Sequence, residues 1–337
     1  MKTRLTALFL LLLYILCGCS SDTKQTEKEP IPAIDTTKVE EEKPKELTAN
    51  DIVIKKELLY DKYTLEDSYP YKDTTRVFQW DKIKEKLAHL ENIQLIHDKW
   101  GILQNYKNGN GEAPLIRTWK RNEYKRVADT TGVERYQSVP LFLPGDTITG
   151  ERYGRDGSLV KIIHQDTTSN FIKVETTTFD GQWLVPRKYV KLVPDTVSFT
   201  HAIFVDRNNE NIVTMEKDGS VWKVRSMNPA TTGLHRPPYQ QETPLGLFVI
   251  QEKKYKMFFL VDGTTRNGGF APYANRFTNG GYIHGIPVNA PRTTLIEYSA
   301  SLGTTPRSHM CVRNASSHAK FVYDWAPVDK SLVIVIE

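Results

Sequence analysis

Apolar positions fall into distinct regimes along the chain. Leu5 to Leu16 is a nearly continuous apolar run behind Lys2 and Arg4. It is too short to cross a bilayer comfortably, so it reads as an export signal rather than a membrane-spanning helix. Ser20 to Leu47 carries Lys, Glu, Thr and Pro with few large apolar side chains. Such a segment cannot offset the entropy of ordering and is predicted to stay extended. Its twenty-eight residues would reach at most about 85 Å in a polyproline-like conformation. From Thr75 to about His97 the period lengthens, with Trp80, Ile83, Leu87 and Leu90 at three- and four-residue steps. That spacing predicts one amphipathic helix, with Asp73, Thr74 and Thr75 available as caps. So narrow a stripe suits a helix that packs on its own domain.

Beyond Gly111 the pattern becomes that of short strands. Leu115 to Trp119, Val139 to Leu143, Leu159 to Ile163, Phe171 to Thr178 and Tyr189 to Val193 are separated by Pro144-Gly145-Asp146, Asp156-Gly157 and Asp180-Gly181. This predicts a small β-barrel. After Pro194 the strands Phe199 to Asp206, Ile212 to Glu216 and Ser220 to Arg225 are joined by the hairpin signals Asn208-Asn209 and Asp218-Gly219. Leu247 to Gln251 and Lys256 to Val261 add two more. The fold class is therefore mainly β, sandwich-like, with one amphipathic N-terminal helix. The expected organisation is residues 1–18 as signal, 19–47 as tether, 48–110 as a helical segment, 111–195 as the barrel and 196–337 as a second β domain.

Composition adds exclusions. The chain's 337 residues suffice for about two domains. Its 45 Lys and Arg against 40 Asp and Glu leave a small positive excess, without a basic stretch interleaved with aromatics. Nucleic acid is excluded as a partner on that basis.

The residues Leu16-Cys17-Gly18-Cys19 after the apolar run resemble a bacterial lipoprotein signal. The resemblance implies cleavage before Cys19, lipidation of Cys19, and a location in the cell envelope, anchored to a membrane and facing the periplasm or the exterior. Of the three cysteines, Cys311 alone then remains as a thiol in a disulfide-forming compartment. Cys311 lies in Ser308-His309-Met310-Cys311-Val312-Arg313-Asn314. A thiol among polar and basic neighbours is a candidate nucleophile, whereas a lone cysteine in other settings is often a buried core residue. His284, His309, Cys311 and His318 have zinc-compatible side chains, but their irregular spacing argues against a metal. No cofactor or metal is expected.

Gly181-Gln182-Trp183-Leu184-Val185-Pro186-Arg187-Lys188-Tyr189-Val190 resembles the closing segment of SH3 domains. Further on, Thr243-Pro244-Leu245-Gly246, Tyr282-Ile283-His284-Gly285 and Ser308-His309-Met310-Cys311-Val312-Arg313 resemble, in order, three signatures of the YkuD-type L,D-transpeptidases. This second resemblance covers about 140 residues, from near Thr196 to the C-terminus. It implies Cys311 as nucleophile, His284 as proton acceptor and donor, Ser308 and His309 as orienting groups, and Arg313 as a cation for the thiolate or a substrate carboxylate. Tyr282 and Gly285 would shape the wall beside His284, and backbone N–H groups around Met310 and Cys311 would hold an oxyanion. The Thr243-to-Gly246 stretch is expected to be a structural turn.

Two departures accompany the resemblance. Met310 stands where such enzymes usually have glycine, and twenty-four positions separate His284 from Ser308, which predicts an enlarged loop over Asn289 to Thr305. The partners implied are peptidoglycan stem peptides and, through the anchor, a membrane; the oligomeric state is left open. Transpeptidation, L,D-carboxypeptidation or hydrolysis by the same thiol, and non-catalytic wall binding all stand open at this point.

Overall fold

The structure, a computed structural model, describes residues 45–95 and 99–337. The signal, Cys19 and the tether up to residue 44 lie outside the described residues. Among the described residues no helix is long and apolar enough to cross a membrane.

The centre is a six-stranded sheet in the order Val53–Lys56, Val221–Pro229, Asn211–Asp218, His201–Asp206, Ser331–Ile336 and Gly246–Val249. Both faces of its middle strands are buried. Ala202, Phe204, Leu332, Ile334 and Ile336 enter one core, while Ile203, Val205, Val333 and Val335 enter another. Side chains alternate across a strand, so a continuous apolar run such as Leu332 to Ile336 serves two layers at once. Each large side chain so buried contributes about 1.5–3 kcal/mol. The first face is covered by the helix α1, Trp80–Leu95, through Ile83, Leu87 and Leu90. The second is covered by a sheet ordered Glu252–Leu260, Asn267–Thr278, Gly281–His284 and Val312–Arg313, and by the helix α2, Ser316–Trp325. The mainly β, layered architecture agrees with the sequence pattern.

Three local expectations are corrected. The helix begins at Trp80, and Thr74–Val77 instead pairs with Ser68–Tyr71 in a hairpin, so residues 73–75 do not cap it. A second helix, α2, follows the cysteine strand; its run Ser-Ser-His-Ala-Lys-Phe-Val-Tyr-Asp-Trp has a short apolar stripe that the β pattern on either side obscures. Residues 48–110 do not form a separate helical segment. Val53–Lys56 joins the central sheet parallel to Val221–Val224, and Lys99–Leu103 lies between Leu159–His164 and Val190–Leu192 in a five-stranded antiparallel sheet. Both pairings are made far along the chain, and local periodicity carries no record of them.

That five-stranded sheet runs in the order Gln182–Pro186, Phe171–Thr176, Leu159–His164, Lys99–Leu103 and Val190–Leu192. Residues 182–192 fold as strand, 3-10 turn at Arg187–Tyr189, and strand. A hairpin of Ser138–Leu141 and Arg152–Arg155 packs beside it.

The Asp156-Gly157 turn locks this module to the strand Asn267–Thr278. Asp156 is fully buried and forms a 2.6 Å ion pair with Arg276, accepts the Asn105 N–H at 2.8 Å, and its own carbonyl accepts the Thr278 hydroxyl at 2.6 Å. A Cβ on Gly157 would stand 1.9 Å from the Phe277 carbonyl oxygen, so only glycine permits this approach. A turn that the sequence marks as a loop is thus a docking contact.

Candidate active site

The site is built on two short strands paired in parallel, with Ile283 opposite Val312 and His284 opposite Arg313. Alternate residues share a face of a strand, so Tyr282, His284, Cys311 and Arg313 present their side chains on one side. Ile283 and Val312 point the other way, into the core beneath. The thiol packs against Tyr282 and Ala274.

Cys311 is only 8% exposed, and its Sγ donates to the carbonyl of exposed Gly280 at 3.5 Å. Burial pushes the thiol up to about 11, opposed by the Tyr282 backbone N–H and by Arg313. His284 is 3% exposed. Burial lowers its pKa to about 4; the Gly285 carbonyl works against that shift and Arg313 adds to it. Its Nδ1–H donates to the Gly285 carbonyl at 2.6 Å. A carbonyl only accepts, so the proton sits on Nδ1 and Nε2 keeps its lone pair. At neutral pH the site therefore holds a neutral thiol and a neutral imidazole whose free nitrogen can take a proton.

Gly285 is held to the second helix. Its N–H donates to Pro272 O at 2.9 Å, and a Cβ there would stand 2.7 Å from Ser316 Oγ. The glycine lets the carbonyl that fixes the His284 tautomer sit against the start of α2.

The cysteine loop is braced from two sides. The Ser308 hydroxyl donates to the Cys311 carbonyl, and Ser308 is buried, as suits a positioning residue. Thr243 Oγ1 donates to the Met310 carbonyl at 2.9 Å and accepts the Gly233 N–H at 2.9 Å. The Thr243-to-Gly246 stretch is thus more than a turn, because Thr243 anchors the residue before Cys311.

Met310 has φ of 74°, in the left-handed region that favours glycine. Its N–H donates to the Gln241 carbonyl at 2.7 Å, which removes it from the expected oxyanion donors. The Cys311 N–H donates to no acceptor among the described residues, so it is the donor left for an oxyanion.

Arg313 is partly buried, its Nε lacks any hydrogen-bond partner, and burial lowers its pKa. A guanidinium without an anion beside a thiol is chemically suited to a carboxylate. His309 does not join the cluster. Its side chain is exposed and its Nε2 meets Asp262 at 2.8 Å, beyond the end of the strand Glu252–Leu260.

Tyr282 reaches outward to Tyr106, with the two hydroxyls 3.1 Å apart, and burial raises its pKa. Tyr106 also stacks under Arg276 at 4.2 Å. Tyr106 bears no sequence signal for this role, and the motif that contains Thr243 reads only as a turn, because each reaches the site through long-range folding.

His318 is buried in α2, where its Nε2 bonds Ser226 Oγ at 2.8 Å and burial lowers its pKa to about 3. No group of three or more metal-ligating side chains occurs among the described residues. The enlarged loop is pinned rather than free. Gly303 N–H bonds Ala230 O at 2.8 Å, Ser316 Oγ bonds Ile296 O at 2.6 Å, and Leu302 packs with Ile286 and Ala315.

Residues 200–335 match the family model of the YkuD L,D-transpeptidase catalytic domain. His284 and Cys311 both fall within the matched residues. No curated protein matches the chain. Among solved structures, the chain is similar to a fused Zn-dependent amidase/peptidase/peptidoglycan-binding domain-containing protein from Clostridium acetobutylicum ATCC 824, at 22% identity over 41% of this chain and 52% of that one, TM-score 0.30. It thus spans about half of that protein's length. An L,D-transpeptidase from Mycobacterium smegmatis is 19% identical over 53% of this chain and 82% of that one, TM-score 0.34. One from Mycobacterium tuberculosis H37Rv is 19% identical over 55% and 92%, TM-score 0.33.

Proposed function

We propose that the protein is a peptidoglycan L,D-transpeptidase that acts through a Cys311 thioester. The observation that carries this reading is the shared face of Cys311 and His284, with the His284 tautomer held by the Gly285 carbonyl. The family match over the same residues supports it.

Nε2 of His284 takes the thiol proton as Sγ attacks the carbonyl between an L-centre and a D-residue of a donor stem. Negative charge develops on the carbonyl oxygen, toward the Cys311 N–H. One such donor contributes about 2.7–4 kcal/mol to the barrier in well-formed sites. The departing D-residue's nitrogen receives the proton from Nε2 as the C–N bond breaks, leaving the thioester. An amine of a second stem then attacks, and its proton passes through His284 to the sulfur as the C–S bond breaks. Arg313 holds a stem carboxylate.

Intact-mass measurement after incubation with a carbapenem tests the first half. One covalent adduct is expected on the wild type and none on Cys311→Ala. Muropeptide analysis tests the second. New cross-links support transpeptidation, shortened stems alone support L,D-carboxypeptidation, and sacculus binding unchanged by Cys311→Ala without any product supports a non-catalytic wall-binding lipoprotein.

Within the same reading the five-stranded module is an SH3-like spacer or wall-binding unit, and Cys19 carries the lipid that places the enzyme in the bacterial envelope. Metabolic labelling with a fatty-acid analogue should mark the wild type and not Cys19→Ala.

A further inference from the structure

Beside the cysteine loop, a cavity of about 410 Å³ opens between the module that bears Arg152 and Arg155 and the catalytic side, where Met310 and Asn279 line it. Three guanidiniums reach it, from Arg152, Arg155 and Arg207.

Their partners are few. The Arg155 side chain has no hydrogen bond or ion pair among the described residues, though it is mostly buried; the charges of Asp129 and Glu134 oppose the lowering of its pKa by burial. Arg152 lies on the Phe179 ring at 3.6 Å and donates from Nη2 to Thr131 Oγ1 at 3.3 Å, while its buried Nε has no partner. Arg207 donates to the Thr243 carbonyl at 3.0 Å and is shared between Glu242 at 3.7 Å and Glu337 at 3.8 Å. The Asn279 Oδ1, on a residue 6% exposed, is also without a partner. A buried guanidinium N–H without an acceptor, as on Arg155 and at the Arg152 Nε, costs free energy, and the cost is relieved by an anion that accepts it. Glu134 and Glu242 line the same space, so the lining suits a ligand that carries an amine as well as carboxylates.

We infer that this cavity binds a peptide bearing several carboxylates and an amine, with Arg155 as its principal carboxylate contact. The inference rests on the transpeptidase reading, in which such a ligand is a second stem peptide. Met310 lines the cavity and precedes the nucleophile, so a ligand held there lies beside the thioester. Selection of that substrate then falls to the hairpin Arg152–Arg155, outside the residues that match the catalytic family.

The test is calorimetric titration of the full chain carrying Cys311→Ala with the tripeptide L-Ala-γ-D-Glu-meso-diaminopimelate and with its fully amidated form. Amidation is expected to weaken binding about tenfold or more, and Arg155→Gln to weaken the acid form alike, with Arg155→Lys intermediate. The remote surface variant Lys320→Gln should bind as the parent does. Equal affinity for the acid and amide forms overturns the site even if Arg155→Gln fails to fold, and so does a folded Arg155→Gln protein that binds the acid form normally. Carbapenem adduct formation on the wild type separates the two ideas. An adduct without charge-dependent peptide binding removes only the cavity assignment, whereas charge-dependent binding without an adduct removes the transpeptidase reading and leaves an anionic-peptide site.

Discussion

Thr243 Oγ1 donates to the carbonyl of Met310 at 2.9 Å while receiving the Gly233 N–H, which ties one strand-leading turn to the residue before Cys311. Thr243→Val removes both bonds at nearly constant volume. Each orphaned backbone group costs about 1–3 kcal/mol. Carbapenem acylation, followed by mass against time, should slow about tenfold or more as the loop loses its position, with a lower melting temperature. An unchanged acylation rate would show that Thr243 serves stability alone.

Met310 holds a left-handed backbone with a side chain, at about 1–2 kcal/mol relative to glycine. Met310→Gly should acylate at least as fast as the wild type, because glycine adopts this φ without strain. Met310→Val should lower stability by about 1–3 kcal/mol, since β-branching is least compatible with positive φ. Denaturant unfolding and acylation kinetics read both.

Cys311 is raised to about 11 and His284 lowered to about 4, so both are neutral between those values. Alkylation by iodoacetamide should keep rising with pH toward 11, without the plateau near pH 5–6 that a preformed thiolate–imidazolium pair would give. Acylation by a specific ligand should instead fall as pH drops through about 4, where His284 gains a proton and can no longer accept one. A plateau in alkylation near neutrality would contradict the neutral pair.

Glu210 is fully buried, accepts the Thr232 N–H at 2.8 Å, and burial raises its pKa to about 7. The folded state therefore holds this proton more tightly than the unfolded chain, for which the ordinary value is 4.5. Its contribution is fully present below about pH 4.5 and is lost as pH rises to about 7, roughly 3 kcal/mol at most. Melting curves of the wild type should show this component falling between pH 5 and 7, and Glu210→Gln should lack it. Parallel pH dependences in the two proteins would locate the titration elsewhere.

His309 pairs with Asp262 at the surface, an exposed contact worth about 0.2–1 kcal/mol. His309→Ala is expected to keep carbapenem acylation within about threefold of the wild type, whereas His284→Ala should abolish it. Loss of acylation in both would return His309 to the chemistry.

The chain's local pattern determined much of this protein by itself. The three-and-four spacing of Ile83, Leu87 and Leu90 specifies a helix face, and the run Phe199 to Asp206 specifies a strand, because side-chain period follows from backbone geometry, whereas the strand Ser331–Ile336 emerged only in the fold. Cys311 and His284 were legible as a candidate pair through their motifs. What the sequence could not contain is which strand lies beside which. Only the parallel register of 283–284 with 312–313 puts thiol and imidazole on one face, and only the fold turns His309 away to Asp262. The bond from Thr243 to Met310, the contact of Tyr106 with Tyr282, and the meeting of Arg152 and Arg155 with Arg207 join stretches tens of positions or more apart. Such meetings depend on the packing of whole layers, for which a local stretch of sequence has no periodic signature.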